Sequence, residues 1–521
     1  MIVRSPYPDL DIPEASLTDF VLERAAERGD RAALIDGVTG RTITYAELPG
    51  LVSRAAAGLA ARGIRKGDVC AIYSPNTIEY AIAVHAVATL GAAVTTVNPF
   101  YTVDEICTQL ADARATMMFT APALAEPART IAKRLGMREV ITFGEAEGTT
   151  PFSALLEAAE PAPRIAIDPA RDLIALPYSS GTTGLPKGVM LSHRNLVANV
   201  LQLDATGPIR DGEDTILGFL PFFHIYGLLV IMQHGLYRGG TIVVMPRFEL
   251  EAALALIQKH RVSVAYVVPP VVLLLTNSPL LAQHDLSSIR MLFSGAAPLG
   301  GDVAGRCAER VDCVVAQGYG MTESSPVTHA CPGNPPRIKA GSVGVCVPNT
   351  EVRIVDVATG ASLGPNESGE LWIRGPQVMM GYLNCPDATR DTVDEEGWLH
   401  TGDIGYVDDE GFFFIVDRLK ELIKYKGLQI APAELEAILL AHPCIGDAAV
   451  VGIADQEAGE VPKAFVVLKA PVSTDEIQEF VGSRVAHHKR LRQVEIVDQI
   501  PKSPSGKILR RMLRDRDKVS R

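Results

Sequence analysis

The sequence predicts an α/β protein. A large N-terminal body, residues 1–417, holds two α/β subdomains and a small β-rich subdomain, and a small α+β C-terminal domain fills residues 418–521. Three observations point there. Helix-like and strand-like segments alternate through two successive rounds, the pattern of a parallel sheet with crossover helices. After residue 338 the texture changes to short strands broken by Gly, Pro and Asp turns. A charged stretch without Gly or Pro, Asp417-Arg418-Leu419-Lys420, then precedes a compact unit of about a hundred residues, a normal domain size.

In the first round, residues 55–62 form an Ala-rich helix, and Val69–Tyr73 is a short apolar strand closed by Pro75 and Asn76. Residues 82–90 are helical and 94–97 a strand; residues 105–113 are helical and Met117–Thr120 a strand. The most apolar run, residues 80–97, contains His85, Thr89, Thr95 and Thr96, and Gly91 divides it. It reads as a buried helix followed by a buried strand, not as a membrane span. In the second round, residues 215–219 and 241–245 are strands, and Leu250–His260 is a helix with Leu254 and Ile257 on one face. Residues 262–268 form a strand that stops at Pro269 and Pro270, and residues 291–293 another that stops at Gly295. Residues 352–355, Gly369–Arg374 and 412–416 supply the β-rich subdomain. Segments 433–440, 448–451, 464–468 and 474–485 make the α+β unit. The chain carries no internal repeat and no low-complexity tract.

The length of 521 residues suits about three domains' worth of chain. Apolar residues at 47% and charged residues at 21% are globular values and exclude extended disorder. The net charge of −12 excludes a general binder of nucleic acid or of an anionic membrane. It leaves room for a local basic patch, which a phosphate-bearing substrate needs. None of the eight cysteines forms a C-x-x-C pair, and Cys307 and Cys313 have no histidine at finger spacing. The sequence therefore predicts neither a zinc site nor a disulfide framework, and a reducing compartment, the cytoplasm. The first eleven residues hold no signal-peptide core, and Val519-Ser520-Arg521 is not a peroxisomal address.

The most informative stretch is Tyr178-Ser179-Ser180-Gly181-Thr182-Thr183-Gly184-Leu185-Pro186-Lys187-Gly188. It packs five hydroxyls, three glycines and one lysine into eleven residues. Glycines let backbone N–H groups close on a ligand, hydroxyls add donors and the lysine adds charge, which together make a phosphate cradle. It is not the G-x-x-x-x-G-K-[ST] loop of P-loop ATPases, because Gly184 lies three residues before Lys187 and Gly188 follows it.

This stretch resembles the phosphate loop of the acyl- and aryl-adenylate-forming enzymes. Four further motifs resemble that superfamily, in its order. Gln317-Gly318-Tyr319-Gly320-Met321-Thr322-Glu323 is similar to its adenine and metal motif, and Thr401-Gly402-Asp403 to its ribose motif. The run from Asp417 to Lys426 and Gly427 is similar to its hinge and second catalytic motif, and Pro504-Ser505-Gly506-Lys507 to its C-terminal lysine motif. Within the superfamily, Leu220-Pro221-Phe222-Phe223-His224-Ile225-Tyr226 and the run Ile500 to Arg510 resemble 4-coumarate:CoA ligases. One box departs from them. The plant enzymes carry Gly-Glu-Ile-Cys-Ile-Arg-Gly, and here Gly369-Glu370-Leu371-Trp372-Ile373-Arg374-Gly375 stands in its place.

The resemblance implies an acid–thiol ligase that uses ATP, Mg²⁺ and CoA in two half-reactions through acyl-AMP. Ser179, Ser180, Gly181, Thr182, Thr183, Gly184 and Lys187 would cradle phosphate, with Thr322 beside them and Glu323 on Mg²⁺. Gln317, Gly318, Tyr319 and Gly320 would flank adenine, and Asp403 and Arg418 would hold the ribose. Lys507 would bridge the carboxylate and the α-phosphate during adenylation. Rotation about Lys420 would swing Lys507 out and bring in Lys424, with Gln429, for thioester formation. His224 would sit beside the carboxylate and the thiol's approach. Tyr226, Val230, Gly295, Gly320, Pro326 and Val327 would line the acyl pocket, with Tyr226 stacking on a ring or donating a hydrogen bond to its hydroxyl. The expected acids are cinnamate and 4-coumarate, with medium- or short-chain fatty acids, or a luciferase-like adenylating oxygenase, as the alternatives. The expected partners are these small molecules alone, for a monomer or homodimer with no nucleic acid and no stable membrane association.

Overall fold

A computed structural model describes residues 1–179, 186–333, 337–426, 428–455, 457–503 and 506–519. Four sheets organise them. In the first, Ala93–Val97, Val69–Tyr73 and Met117–Thr120 run parallel, as the first round predicts, and Val140–Thr142, which it does not predict, joins them. Its other end carries Leu173–Ala175, Lys187–Ser192 and Tyr178–Ser179, paired antiparallel. In the second, Thr241–Val244, Thr215–Gly218, Val264–Val267, Met291–Ser294 and Val314–Gly320 run parallel. The second sheet also takes in Ala32–Asp36 and Thr42–Thr44 from the start of the chain.

The two sheets share one apolar core. The helix Ile78–Thr89 lies within it, and ten of its twelve residues are buried. A helix that is apolar all round belongs in an interior. His85 is a core histidine there, 3.1 Å from the Thr18 hydroxyl. Helix starts follow local chemistry. Thr102 with Glu105, and Ser473 with Glu476, form reciprocal caps on Val103–Asp112 and Thr474–Gly482. Pro269 and Pro270 do end a strand, but they also open the helix Pro269–Asn277, because proline's fixed φ and missing N–H suit the first helical turn.

The third sheet is antiparallel and orders Val3–Arg4, Glu351–Val355, Gly369–Arg374, Leu399–Val407 and Phe413–Arg418. This is the β-rich subdomain. The fourth orders Leu428–Ile430, Ile423–Tyr425, Gly459–Leu468 and Ile445–Asp455, with Gln493–Ile496 parallel to Gly459–Leu468. It has apolar clusters of its own, one covered by the helix Pro432–Leu440. The short turn Leu419–Glu421 joins the third sheet to the fourth. No helix among the described residues is long and apolar enough to cross a membrane.

Candidate active site

A cleft of about 580 Å³ opens where residues of the first three sheets meet the end of the C-terminal domain. Its walls are loops at the carboxyl ends of parallel strands: Asn98 after Ala93–Val97, His224 after Thr215–Gly218 and Gly295 after Met291–Ser294. Ligands of open α/β sheets bind at such ends.

Lys507 reaches this cleft from the C-terminal domain, and Ser503 lines it beside Lys507. The Lys507 N–H donates to the Ser503 hydroxyl at 3.1 Å, and the Ser503 N–H donates to the Lys507 carbonyl at 2.8 Å. Gly506, at φ +79°, lets this turn sit against the body; a Cβ there would lie 3.1 Å from Val268. Burial lowers the Lys507 amine from its usual value to about 8. The positive Arg418 and Lys420 push the same way, against Asp403 and Glu323.

Glu323 is buried, in the turn Thr322–Ser324 at the cleft wall. Its Oε1 accepts from the Ser179 hydroxyl at 2.7 Å and from the Tyr382 hydroxyl at 2.8 Å. Among the described residues both of its side-chain hydrogen bonds fall on Oε1. Thr322 and Lys187 line the same wall, and the Lys187 amine stands 5.3 Å from the centre of the Tyr382 ring. Ser180, Gly181, Thr182, Thr183 and Gly184 of the phosphate motif lie outside the described residues, as do Pro504, Ser505 and Gly427.

Gly318, Tyr319 and Gly320 line the cleft, and so do Thr401, Gly402 and Arg418. The Tyr319 hydroxyl donates to Asp403 at 2.6 Å, and Arg418 pairs with the other carboxylate oxygen at 3.3 Å. Asp403 itself is buried. Gln317 is not among the residues that line the cleft. It is buried, and its amide donates to the Leu299 carbonyl at 3.2 Å.

His224 borders the cleft, and burial, with the Lys507 charge, lowers its pKa to about 4, so the ring is neutral. Its Nδ1 accepts the Tyr226 N–H at 3.2 Å, which assigns the ring proton to Nε2. Beyond it lies an apolar pocket with Tyr226, Val230, Gly295, Pro326 and Val327 on its walls. Tyr226 begins the wide π-helical turn Tyr226–Gln233, a helix form frequent at functional sites.

Two expectations change here. The Tyr226 hydroxyl already donates to the Phe293 carbonyl at 2.9 Å, so it does not donate to a bound ring; its oxygen retains acceptor capacity. Gly320 is glycine for backbone closeness and not only to leave room for a ring, since a Cβ would fall 1.9 Å from the Pro326 carbonyl oxygen. Gly295 keeps its steric role, as a Cβ would stand 3.2 Å from the Tyr226 ring.

Lys424 and Gln429 are not brought to the cleft. They pair with each other across Ile423–Tyr425 and Leu428–Ile430, and both are exposed. Lys420, in the turn between the third and fourth sheets, is exposed as well. Sequence reasoning passed over Tyr178, Tyr382, Glu370 and His400, all of which line the cleft. Tyr178 anchors the phosphate-loop stem by donating to Asp112 at 2.6 Å. Its place at the head of the motif was a usable signal. Tyr382 had none, because only long-range pairing of Gly381–Tyr382 with Lys187–Ser192 brings it in.

The family model for AMP-binding enzymes matches residues 21–383, and the model for the C-terminal domain of those enzymes matches residues 434–507. The chain is 49% identical to 4-coumarate–CoA ligase 5 of Oryza sativa subsp. japonica, over 98% of this chain and 97% of that one. It is 48% identical to the 4-coumarate–CoA ligase of Pinus taeda, over 99% and 97%. Among solved structures it resembles the o-succinylbenzoate CoA synthetase of Bacillus subtilis in complex with its acyl-adenylate intermediate. The identity there is 31%, the TM-score 0.81 and the coverage 95% of this chain and 98% of that one. The chain belongs to the AMP-binding enzyme family, carries both of that family's domains, and is similar to 4-coumarate–CoA ligases nearly end to end.

Proposed function

We propose that this protein is an ATP-dependent acid:CoA ligase that activates 4-coumarate-like aryl acids as acyl-AMP. One observation carries this. A single cleft joins a buried lysine from the C-terminal domain, a buried carboxylate, an aspartate-held strand bulge and an apolar pocket behind a neutral histidine.

In the first half-reaction a carboxylate oxygen attacks the α-phosphorus, the bond to the bridging oxygen breaks and pyrophosphate leaves. Lys507 offsets charge between the carboxylate and the α-phosphate. The Nε2–H of His224 donates to the carboxylate and orients it. The Asp403 bulge fixes the ribose and the Tyr319 ring borders the base. Glu323 fits Mg²⁺. It presents one oxygen to two hydroxyl donors and keeps the other for a hard cation that takes few protein ligands. When bound, Mg²⁺ neutralises phosphate charge.

In the second half-reaction the CoA sulfur attacks the acyl carbonyl, the carbon–oxygen bond to AMP breaks, and the thiol proton passes to solvent. Lys424 serves this step after the domain following residues 417–420 rotates. The pocket's aromatic and small walls suit a flat ring, and the Tyr226 oxygen accepts from a para-hydroxyl. The eight free thiols suit a cytoplasmic protein. Pyrophosphate release with a panel of acids tests the assignment: cinnamate and 4-coumarate should lead, and a faster hexanoate or octanoate would overturn the aryl reading.

A further inference from the structure

Trp372 is, with Leu371, one of two residues at which the Gly-Glu-Leu-Trp-Ile-Arg-Gly box departs from the plant enzymes, and the only one of the two that changes polar or aromatic character. It lies outside the cleft lining, yet it touches two residues that belong to it, Glu370 and His400. Along the strand Gly369–Arg374 burial alternates, so Glu370 and Trp372 share one face. The indole N–H of Trp372 donates to Glu370 Oε2 at 2.9 Å. The other oxygen of Glu370 accepts the backbone N–H of Gly402, also at 2.9 Å. Gly402 lies within the strand Leu399–Val407, where its pairing with Gly369–Arg374 shifts register, and stands at φ +67°, a bulge conformation that a pinned N–H helps to define.

The same indole fixes the next residue on the neighbouring strand. Trp372 and His400 are cross-strand partners, and their rings stack at 3.8 Å and 12°. Arg353 caps the far side of the stack, 4.8 Å from the Trp372 ring and 4.2 Å from Trp398. His400 is followed by Thr401, Gly402 and Asp403. The Thr401 hydroxyl accepts the Asp403 N–H at 3.0 Å. Each residue of this bulge is thus held by a bond to its neighbours, and two of the holds, on Gly402 and His400, lead back to Trp372.

We propose that Trp372 is a positioning residue for the nucleotide ribose: through Glu370 and His400 it sets the strand bulge that carries Asp403, without touching the nucleotide. This rests on the assignment of Asp403 to the ribose. Trp372→Phe keeps an aromatic ring for the stack and removes the N–H donor. The KM for ATP should rise about fivefold, the scale of one weakened charge-assisted hydrogen bond acting at one remove. kcat and the KM for the acid should change less than about twofold. Glu370→Gln, which puts a donor where two donors already point, should do the same.

The experiment compares ATP with 2′,3′-dideoxy-ATP in pyrophosphate release by wild type, Trp372→Phe and Glu370→Gln. Wild type should prefer ATP, and both variants should lose most of that preference while their KM for the dideoxy nucleotide stays put. A merely structural role would raise both constants together, and that result overturns the inference. Wild type with no preference for ATP would overturn the ribose assignment and the inference with it. Wild-type preference retained in both variants would overturn the inference alone. Should Trp372→Phe fail to fold, Glu370→Gln decides by the same ratio.

Discussion

The lowered pKa of Lys507 makes a quantitative pH prediction. An ordinary lysine carries its charge throughout the working range of an enzyme, but burial brings Lys507 to about 8. The sign follows from the direction of the shift. Below about 8 the amine is charged and can stabilise the α-phosphate; above it the charge is lost. In the free protein about nine molecules in ten carry the charge at pH ~7, and about one in ten at pH ~9. The ratio kcat/KM for ATP reports the free protein, so it should fall about tenfold per pH unit beyond about 8. Bound polyphosphate raises the lysine's pKa, so the limb in kcat should lie at higher pH than the limb in kcat/KM. The assay is pyrophosphate exchange at saturating acid, with Lys507→Arg in parallel. Arginine keeps its charge at every pH used, so that variant should be slower overall and flat across the alkaline range. A wild-type limb near pH ~10, or an unchanged limb in Lys507→Arg, would refute the assignment of the titrating group.

Two further outcomes can be read in separate assays. Lys507→Ala should lose adenylation by roughly 10²-fold or more and keep much of its thioester formation from preformed acyl-AMP, with Lys424→Ala showing the reverse. Equal losses in both steps would sink the division of labour. Gly320→Ala would place a Cβ 1.9 Å from the Pro326 carbonyl oxygen, a backbone clash that no rotamer relieves. It should destabilise the protein by about 1–3 kcal/mol in denaturant melts and weaken the aryl acid more than ATP; an unchanged melting midpoint would show that the strand pair yields freely.

Much of the fold could be read from local signals. Since buried parallel strands are short apolar runs between helices, helix–strand alternation located most of the parallel strands of both large sheets, though not Val140–Thr142 or Val314–Gly320. The recurrent motifs located Lys507, Glu323, Tyr319 and the Thr401–Asp403 strand bulge, all of which line or adjoin one cleft. What escaped has a common cause. Ala32–Asp36 joins the second sheet beside Thr241–Val244, and nothing local distinguishes that partner from any other. The third-sheet residues Glu370 and Trp372 alternate with apolar neighbours as any half-buried strand does. Their significance lies in bonds to Gly402 and stacking on His400, which exist only after the strands pair. Gln317 was assigned to the adenine by motif membership, and in the fold it is buried with its amide on the Leu299 carbonyl.

On the proposed division of labour between Lys507 and Lys424, the exposure of Lys424 bears on how the domain would move. Lys424 and Lys507 belong to one packed unit, because Arg514 pairs with Glu421 and Arg510 binds Glu436 at 2.7 Å. A lysine side chain cannot cross from the outer edge of this sheet to the cleft by changing rotamers while Ile423, on the same strand, stays in the core. Exchange of the two lysines therefore requires the whole unit to turn on the short link after residue 418. The link is suited to it, being a single turn, Leu419–Glu421, with no buried residue. Turning would break bonds to the body. One is the Ala433 N–H to Asp417 at 2.8 Å, which ties the helix Pro432–Leu440 to the last strand of the third sheet. Losing a hydrogen bond of this kind costs about 1–3 kcal/mol. A cost of that size is within reach of the difference in binding between a site holding ATP and one holding acyl-AMP with CoA. The substrates themselves can thus select which lysine faces the cleft.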